Sequence, residues 1–291
     1  IKKKELTISD VVFIIAPRIN AAGRMKHGNY AVELLTEMDL DAAIEFAAAI
    51  EIFNADRKDL DKKITEEALI QIIDNEEENR FSSVVFQEDW HKGVIGIVAS
   101  RLIEKYYRPT LVFTKSGDKL AASARSVKGF DVYNALLECE EFIEQFGGHK
   151  YAAGLTLAPE NYENFKNKFE EVVERTIDKK LLTPEIAIDA EIELSEITPK
   201  FFRIIQQMAP FGPMNMKPTF TSTCVRDNGY GKKVGKEQTH LKLNVFQGDN
   251  KKTYNAIGFN LGDKMEFVQD DFDIAYSVDE NEWNGFKSIQ L

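Results

Sequence analysis

Cysteine is scarce in this sequence, and long apolar runs are missing from it. Its two cysteines, Cys139 and Cys224, stand far apart, so we expect neither a disulfide framework nor a zinc site. No apolar run approaches the ~20 residues of a membrane span, and residues 1–5 resemble neither a signal peptide nor an initiator. We therefore expect an internal piece of a soluble, cytoplasmic protein without membrane contact.

Clustered metal ligands are also missing. The four histidines are dispersed along the chain: His27, His91, His149 and His240. The pairs Asp39/Asp41 and Asp59/Asp61 are spaced i,i+2 in helical sequence, so the two side chains of each pair diverge. Metal-dependent cleavage of phosphodiesters needs grouped carboxylates and histidines. We therefore expect no bound metal within this chain.

An excess of positive charge is absent overall, but the charge is unevenly distributed. The net charge is −11 at pH 7, yet residues 91–130 carry eight Lys/Arg against two Asp/Glu, and residues 200–260 carry ten against three. Exposed charges interact mainly within about 8–10 Å, so local basic surfaces on an acidic body can attract phosphates. Ordinary solvated faces are the alternative explanation.

The 291 residues, of which 43% are hydrophobic, suffice for two domains with ordinary cores. An apolar run at 8–16 ends at Pro17, and a short helix is expected at 29–37. Asp39 is placed to cap a helix that continues without Gly or Pro to Asp74. Its middle, residues 54–63, is polar almost all round, which is typical of a helix that bridges two bodies.

Alternation of short β-type runs with helical segments begins near residue 81. Strands are expected at 82–87, 110–114, 119–125 and 153–157, and helices at 94–107, 131–145 and 159–179. After Pro184 follow a helix at 198–208 and β-type runs at 219–226, 239–247, 251–259, 272–279 and 284–291. The predicted fold class is a mixed-sheet α/β domain preceded by a long linker helix, plus an all-β barrel of the OB-fold type. The predicted domains are 1–80, 81–182 and 183–291.

Two segments combine small residues with phosphate-binding side chains. Residues 17–24 place Arg18 and Arg24 around small side chains, although a turn between helices with solvated arginines is the alternative. His91 and Lys92 begin a glycine-containing segment that follows a strand and opens a helix, where free amides and the helix dipole favour anions. It lacks the Gly-Lys-Ser/Thr ending of a Walker loop, and a tight strand–helix connection explains it equally well.

A third constellation is split along the chain. Ser123, Arg125 and Ser126 lie at the end of a predicted strand, and Gly147-Gly148-His149 follows a predicted helix. Hydroxyls, a forked guanidinium, exposed amides and an imidazole donor together suit a terminal phosphate.

In their order along the chain these motifs resemble the RecJ exonucleases, and the resemblance extends to the strand His240–Leu243. It implies that an N-terminal DHH domain with two Mn²⁺ or Mg²⁺ ions precedes a long helix, a DHH-associated domain and an OB-fold. Because DHH-type motifs are missing here, the chain is identified as the C-terminal, substrate-binding portion. The implied activity is 5′→3′ hydrolysis of single-stranded DNA in repair and recombination, with a single-strand-binding protein and a helicase as candidate partners.

The resemblance also implies roles for individual residues. Ser123 and Arg125 match the 5′-phosphate pocket, and His149 lies in the loop that faces the metal centre, which makes it a candidate contributor to catalysis. The full set of candidate DNA-binding residues before the barrel is Arg18, Asn20, Arg24, His91, Lys92, Ser123, Arg125, Ser126, Gly147, Gly148 and His149.

In the barrel, charge and stacking are expected to hold further nucleotides. The candidates there are Tyr230, Lys232, Lys233, Lys236 and Lys242. Phe246 and Phe259 alternate within strands and are expected in the core.

Two other functions remain open from the sequence. One is a related phosphodiesterase of short oligoribonucleotides or cyclic dinucleotides, against which residues 185–291 argue. The other is a non-catalytic nucleic-acid-binding module like the one that ends alanyl-tRNA synthetases.

Overall fold

The computed structural model describes residues 6–249 and 252–291. It divides into two compact units, Ile1–Pro184 and Glu185–Leu291. The residues considered above for a signal peptide, 1–5, lie outside the described part, as does the first residue of the β-type run expected at 251–259.

The described chain opens with a helical path that Pro17 does not stop. Thr7 caps α1 (Ile8–Asp10), a π-helical segment follows at Val11–Ile15, and α2 (Ala16–Met25) continues from it without a break. The prediction that the run ends at Pro17 was therefore wrong. Pro17 is the second residue of α2, directly after the π-helical segment, and proline is tolerated in the first turn of an α-helix.

The long helix is confirmed. After α3 (Asn29–Thr36), α4 (Leu40–Asp74) runs for 35 residues, and the Asp39 carboxylate accepts a hydrogen bond from the Ala42 amide at 2.9 Å. Its polar middle is not exposed all round, because Asn54 and Asp61 are buried there. The expectation that this helix bridges two bodies stays a prediction. No helix of the described chain is both long enough and apolar enough to cross a membrane.

The first unit is built on a five-stranded mixed sheet. Its strands are β1 (Ser83–Phe86), β2 (Thr110–Ser116), β3 (Lys119–Arg125), β4 (Gln145–His149) and β5 (Ala152–Leu157). The order is β1-β2-β3-β5-β4, with β1 and β2 parallel and the other pairs antiparallel. The helices after α4 are α5 (Ile95–Lys105), α6 (Val132–Leu137) and α7 (Tyr162–Thr176).

The two faces of this sheet carry separate cores. Phe113, Leu155 and Phe169 belong to the core that includes α7. Val85 and Val112 belong to the core that α4 and α5 cover. Ser123 lies directly opposite Val112 in the β2–β3 ladder, and opposed side chains share a face. The candidate phosphate-binding side chains of β3 therefore face the α5 side of the sheet.

The helix expected at 131–145 is wrong in its second half. α6 ends at Leu137, and residues 145–149 form the edge strand β4, which pairs with β5. Gly147 and Gly148 lie just beyond the predicted helix, where each would weaken a continuing helix by about 1 kcal/mol, whereas β5 offers them a hydrogen-bonded ladder. The Gly147-Gly148-His149 segment is thus a strand and not a loop.

The second unit is a curled sheet of the OB type, which confirms the predicted fold class. Its elements are β6 (Ala190–Glu191), α8 (Pro199–Gln207), β7 (Phe220–Asp227), β8 (Lys232–Val234), β9 (His240–Gln247), β10 (Tyr254–Gly258), β11 (Phe272–Tyr276), β12 (Asp279–Trp283) and β13 (Phe286–Gln290). The main order is β11-β7-β9-β10-β13-β12, with β6 on β7 and β8 on β9. Leu241, Leu243 and Val245 alternate into the core.

Candidate nucleic-acid interface

Ser123 and Arg125 form one unit at the end of β3. The Arg125 Nη1 donates to Ser123 Oγ at 3.1 Å and to the Ala124 carbonyl at 2.7 Å. Ala124, between them, is fully buried in the core of the opposite face. Side chains two apart on a strand share a face, so the guanidinium lies over the hydroxyl with its remaining N–H groups available to a ligand.

Helix α5 approaches this pair through glycine. A β-carbon on Gly96 would stand 2.9 Å from both Arg125 Nη2 and Ser123 Oγ. Gly93, just before the helix, touches α2 instead, because a β-carbon there would stand 2.2 Å from the Arg24 carbonyl oxygen. Glycine at both positions lets three elements meet where any side chain would keep them apart.

Arg24 completes this contact and adds a second positive charge. Its Nη1 donates to the Gly93 carbonyl at 3.1 Å. The pKa of Arg125 is lowered by burial and, second, by the charge of Arg24. Two guanidiniums that repel each other lose that repulsion when an anion binds between them. The electrostatics therefore favour a phosphate at this point.

A glycine-lined surface extends from the pair across the sheet. Ser123 is opposite Gly154, which is opposite Gly147, and Arg125 is in one row with Ala152 and His149. Among the described residues, no atom outside Gly147 and its two chain neighbours lies within 4 Å of a β-carbon placed on Gly147. Two strand spacings of about 4.8 Å separate the row ends, so His149 lies about 10 Å from Arg125. Gly147 and Gly154 are exposed, so this part of the sheet carries no side chain at either position.

Gly148 and the two histidines are held by local contacts. Gly148 has φ +154°, and a β-carbon on it would stand 2.3 Å from the Ala152 carbonyl oxygen. The Nδ1 atoms of His91 and His149 accept hydrogen bonds from the Gly93 amide at 3.1 Å and the Tyr151 amide at 3.3 Å. A neutral imidazole that accepts at Nδ1 carries its proton on Nε2, so each ring can donate to an oxygen.

Several predicted site residues are placed elsewhere. Arg18 forms a bidentate ion pair with Glu51 of α4, and this hydrogen bond is the main cause that lowers the pKa of Glu51. Lys92 donates to Ser116 Oγ at 3.0 Å, at the opposite end of β2 from the partner of Arg125. Asn20 is exposed on α2.

Two further groups of the predicted site form hydrogen bonds within the chain. The Ser126 hydroxyl donates to the Phe130 carbonyl at 3.0 Å within a turn. At the start of α5 the amides of Val94 and Ile95 both bind the His91 carbonyl. The amide cluster expected at this helix start is therefore partly satisfied within the chain.

Sequence reasoning missed two arginines close to Arg24. The buried Asp61 carboxylate accepts from Arg101 Nε at 2.9 Å with both oxygens, and Arg57 Nη1 lies 3.8 Å from the same carboxylate. The pKa of Arg57 is lowered chiefly by burial and also by the charges of Arg101 and Arg24, whereas Asp61 raises it. Arg57, Asp61 and Arg101 line a cavity of about 630 Å³. The i,i+4 spacing of Arg57 and Asp61 was a visible signal, but nothing in the sequence paired Arg101 with Asp61.

The second unit carries its own basic face. Lys232 lies directly opposite Lys242 in the β8–β9 ladder, and Lys233 is opposite Leu241. Tyr230 and Lys236 are exposed nearby in the chain. Within the described residues, none of these four lysines forms an ion pair. The basic residues that do form ion pairs there are Arg18, Arg57, Lys62, Lys63, Arg80, Arg101, Lys115, Lys119, Lys166, Lys168, Arg175, Lys217, Arg226, Lys264 and Lys287.

The expectation that Phe259 belongs to the core was wrong. Its side chain is 68% exposed, whereas Phe246 is half-buried. Phe259 follows β10 directly, and its ring meets the His240 ring in an edge-to-face arrangement.

Within residues 6–249 and 252–291, no group of three or more His, Cys, Asp or Glu side chains could hold a metal ion. The residues described in this chain therefore do not by themselves fit a catalytic metal pair.

Two family models match separate parts of the chain. The DHHA1 domain model matches residues 77–175, and the RecJ OB domain model matches residues 188–291. Among curated proteins, the single-stranded-DNA-specific exonuclease RecJ of Bacillus subtilis is 32% identical over 97% of this chain and 36% of its own length. The same-named protein of Salmonella typhimurium is 30% identical, over 99% of this chain and 51% of its length.

Solved structures give the same result for the fold. The structure of RecJ from Thermus thermophilus in complex with Mg²⁺ superposes with a TM-score of 0.80 at 26% identity, covering 97% of this chain and 42% of that one. The structure of the same protein with Mn²⁺ gives 0.78. The chain thus spans between about a third and a half of the length of the relatives it matches.

Proposed function

The chain belongs to the RecJ family, and from this we propose that it is the substrate-binding part of a single-strand-specific 5′→3′ DNA exonuclease. The matched relatives are named for single-stranded-DNA-specific exonuclease activity. DNA repair and recombination in the cytoplasm are the proposed setting, with a single-strand-binding protein and a helicase as proposed partners.

One observation carries the proposal, namely that Arg24, Gly96, Ser123 and Arg125 come together from three elements. A 5′-terminal phosphate bears up to two negative charges, and a planar guanidinium binds two phosphate oxygens at once. The phosphate would bind at the edge of a glycine-lined surface on which the following nucleotides lie. The terminal phosphate would then set which bond is presented for cleavage.

We assign the proposed Mg²⁺ or Mn²⁺ cofactor to residues outside this chain. The Thermus thermophilus relative was solved with each of these ions. The role left to this chain is to hold the scissile phosphate in a fixed position, to which the Nε2–H of His149 can contribute by donating to an oxygen.

The test is binding of short oligo(dT) with either a 5′-phosphate or a 5′-hydroxyl. Arg125→Ala should weaken binding of the phosphorylated strand by about ten- to a hundredfold more than binding of the hydroxyl strand, because a charge-assisted hydrogen bond contributes about 1.5–3 kcal/mol. Fluorescence anisotropy with this chain measures both affinities.

Lys232→Ala is the matched control for this experiment. It removes one positive charge from the second unit and should weaken both strands alike, since it would contact only the passing backbone. Equal losses in Arg125→Ala would place the 5′-phosphate site elsewhere and overturn the assignment.

A further inference from the structure

Phe259 presents an aromatic ring to solvent in a fixed orientation. The ring is 68% exposed and stands edge-on to the His240 ring, with centroids 5.4 Å apart and planes at 75°. His240 is itself held, because its Nδ1 accepts from the Asn260 amide at 3.1 Å. Gly235, with φ +94°, brings the end of β8 against the same imidazole, where a β-carbon would stand 3.1 Å from Cδ2.

The strand register places this ring beside unpaired positive charge. On β9, His240 and Lys242 alternate with the core residue Leu241, so both belong to the outer face. Lys242 is opposite Lys232 on one side and opposite Ile257 on the other. His240 and Lys242 are two residues apart, or about 6.8 Å along the strand.

Two lysines directly opposite each other in a ladder destabilise the sheet. In the described part of the chain neither Lys232 nor Lys242 has an acidic partner that would offset this repulsion, since the acids of the second unit that form ion pairs do so with other cations. An anion bound between the two ammonium groups would remove the repulsion. A large apolar ring left in water next to such a site is a suitable platform for a base.

We propose that the outer face of β8–β10 binds one nucleotide of a DNA single strand. Lys232 and Lys242 bind the phosphate, Phe259 stacks on the base, and His240 acts as a positioning residue that holds the Phe259 ring. Stacking uses the π-face that every base has, so the subsite accepts any base but needs one to be present. This inference rests on the proposed function, because it takes single-stranded DNA as the ligand.

The experiment compares oligo(dT) with an abasic oligomer that has the same number of phosphates. Phe259→Leu should lower the affinity of the whole chain for oligo(dT) on the order of tenfold and leave the abasic affinity unchanged, because only stacking is lost. Lys242→Ala should weaken both ligands and reduce the slope of log K against log[salt] by about 1. Phe286→Leu is the matched control, since Phe286 is 81% exposed at the β12–β13 turn and should change neither affinity.

The role of His240 is tested by a double-mutant cycle. His240→Asn should weaken binding of oligo(dT) but not of the abasic oligomer. In the Phe259→Leu background, the same substitution should cause no further loss of oligo(dT) affinity. A purely structural role for His240 would instead lower both affinities in both backgrounds.

A direct readout of stacking is available as well. In a Phe259→Trp variant, oligo(dT) should quench the added indole fluorescence, and the abasic oligomer should not. Wild-type protein corrects for Trp90 and Trp283.

The experiment distinguishes failure of the proposed function from failure of the stacking subsite. If the wild-type chain binds neither oligomer, the proposed function fails and this inference fails with it. If the wild-type chain binds oligo(dT), but Phe259→Leu leaves the difference in affinity between oligo(dT) and the abasic oligomer unchanged, only the stacking subsite is overturned.

Discussion

Gly96 lies where α5 meets the Ser123–Arg125 pair, and a methyl group on it would reach both side chains. A β-carbon there would stand 2.9 Å from Arg125 Nη2 and from Ser123 Oγ. The long arginine side chain can move away, so Gly96→Ala should not unfold the protein. Alanine favours a helix over glycine by about 0.5–1 kcal/mol, so the free energy of unfolding should stay level or rise slightly.

Binding should respond in the opposite direction. With the guanidinium displaced, Gly96→Ala should lose roughly tenfold in affinity for 5′-phosphorylated oligo(dT), about one charge-assisted hydrogen bond, and little for the 5′-hydroxyl strand. Thermal unfolding and anisotropy measure the two effects. Ser100→Ala in the same helix removes only a bond to the Gly96 carbonyl and serves as control. Unchanged 5′-phosphate selectivity in Gly96→Ala would contradict this geometry.

Individual residues differ in how far the sequence predicts them. Ser123 and Arg125 were correctly placed at the end of a strand, and side-chain alternation alone puts two residues with this spacing on one face. The same alternation misassigned Phe259, since a period of two separates two faces without indicating which one meets solvent. That choice depends on the pairing of β9 with β8 and β10, which no local pattern contains.

At the scale of elements, an ion pair between Asp61 and Arg101 links α4 to α5. The Asp61 carboxylate is 3% exposed and binds Arg101, while Arg57 lies beside it with a side chain 12% exposed. Asp61→Asn would leave Arg57 buried next to other positive charges. Removing one partner of a buried ion pair lowers the free energy of unfolding by about 3–5 kcal/mol. We expect a loss of about 3 kcal/mol for Asp61→Asn, because Arg101 is half exposed. Chemical unfolding followed by the fluorescence of Trp90, which is buried in the same unit, measures the loss.

Glu66→Gln provides the comparison on the same helix. Glu66 is 61% exposed and pairs with Lys62 at 3.8 Å, so its loss should change the free energy of unfolding by less than about 1 kcal/mol. If Asp61→Asn and Glu66→Gln unfold at the same denaturant concentration, the ion pair does not fasten α4 to α5.

The extent of α4 was predictable and its surroundings were not. A capping Asp39 and a long stretch without Gly or Pro determine a helix locally. The burial of its polar middle depends on Arg101, which lies 40 residues from Asp61 in the sequence. β4 was not predicted as a strand for a similar reason, because its strand state depends on pairing with β5.

At the scale of the whole chain, we expect binding without cleavage. Among the described residues, no group of three or more His, Cys, Asp or Glu side chains could hold a metal ion. The chain alone should therefore release no mononucleotides from 5′-labelled single-stranded DNA, even with Mn²⁺ present. Gel analysis of the labelled products checks this, with the anisotropy assay showing that the same preparation binds DNA.

Arg125→Ala distinguishes a true activity from a contaminating nuclease. Metal-dependent release that disappears in this variant would show that the chain cleaves DNA unaided. Release that persists in the variant would come from another protein, and the expectation would stand.

The length of α4 has a consequence for how this family of sequences can change. The helix touches α2 near Ile50 and α5 near Asp61, and Arg24 at the end of α2 must still reach Gly93 beside α5. Inserting or deleting one residue between the two contacts would rotate one end by about 100° and shift it by about 1.5 Å. We therefore expect substitutions on the exposed side of α4 to be tolerated, whereas single-residue insertions and deletions in this stretch would separate Arg24 from the rest of the phosphate site.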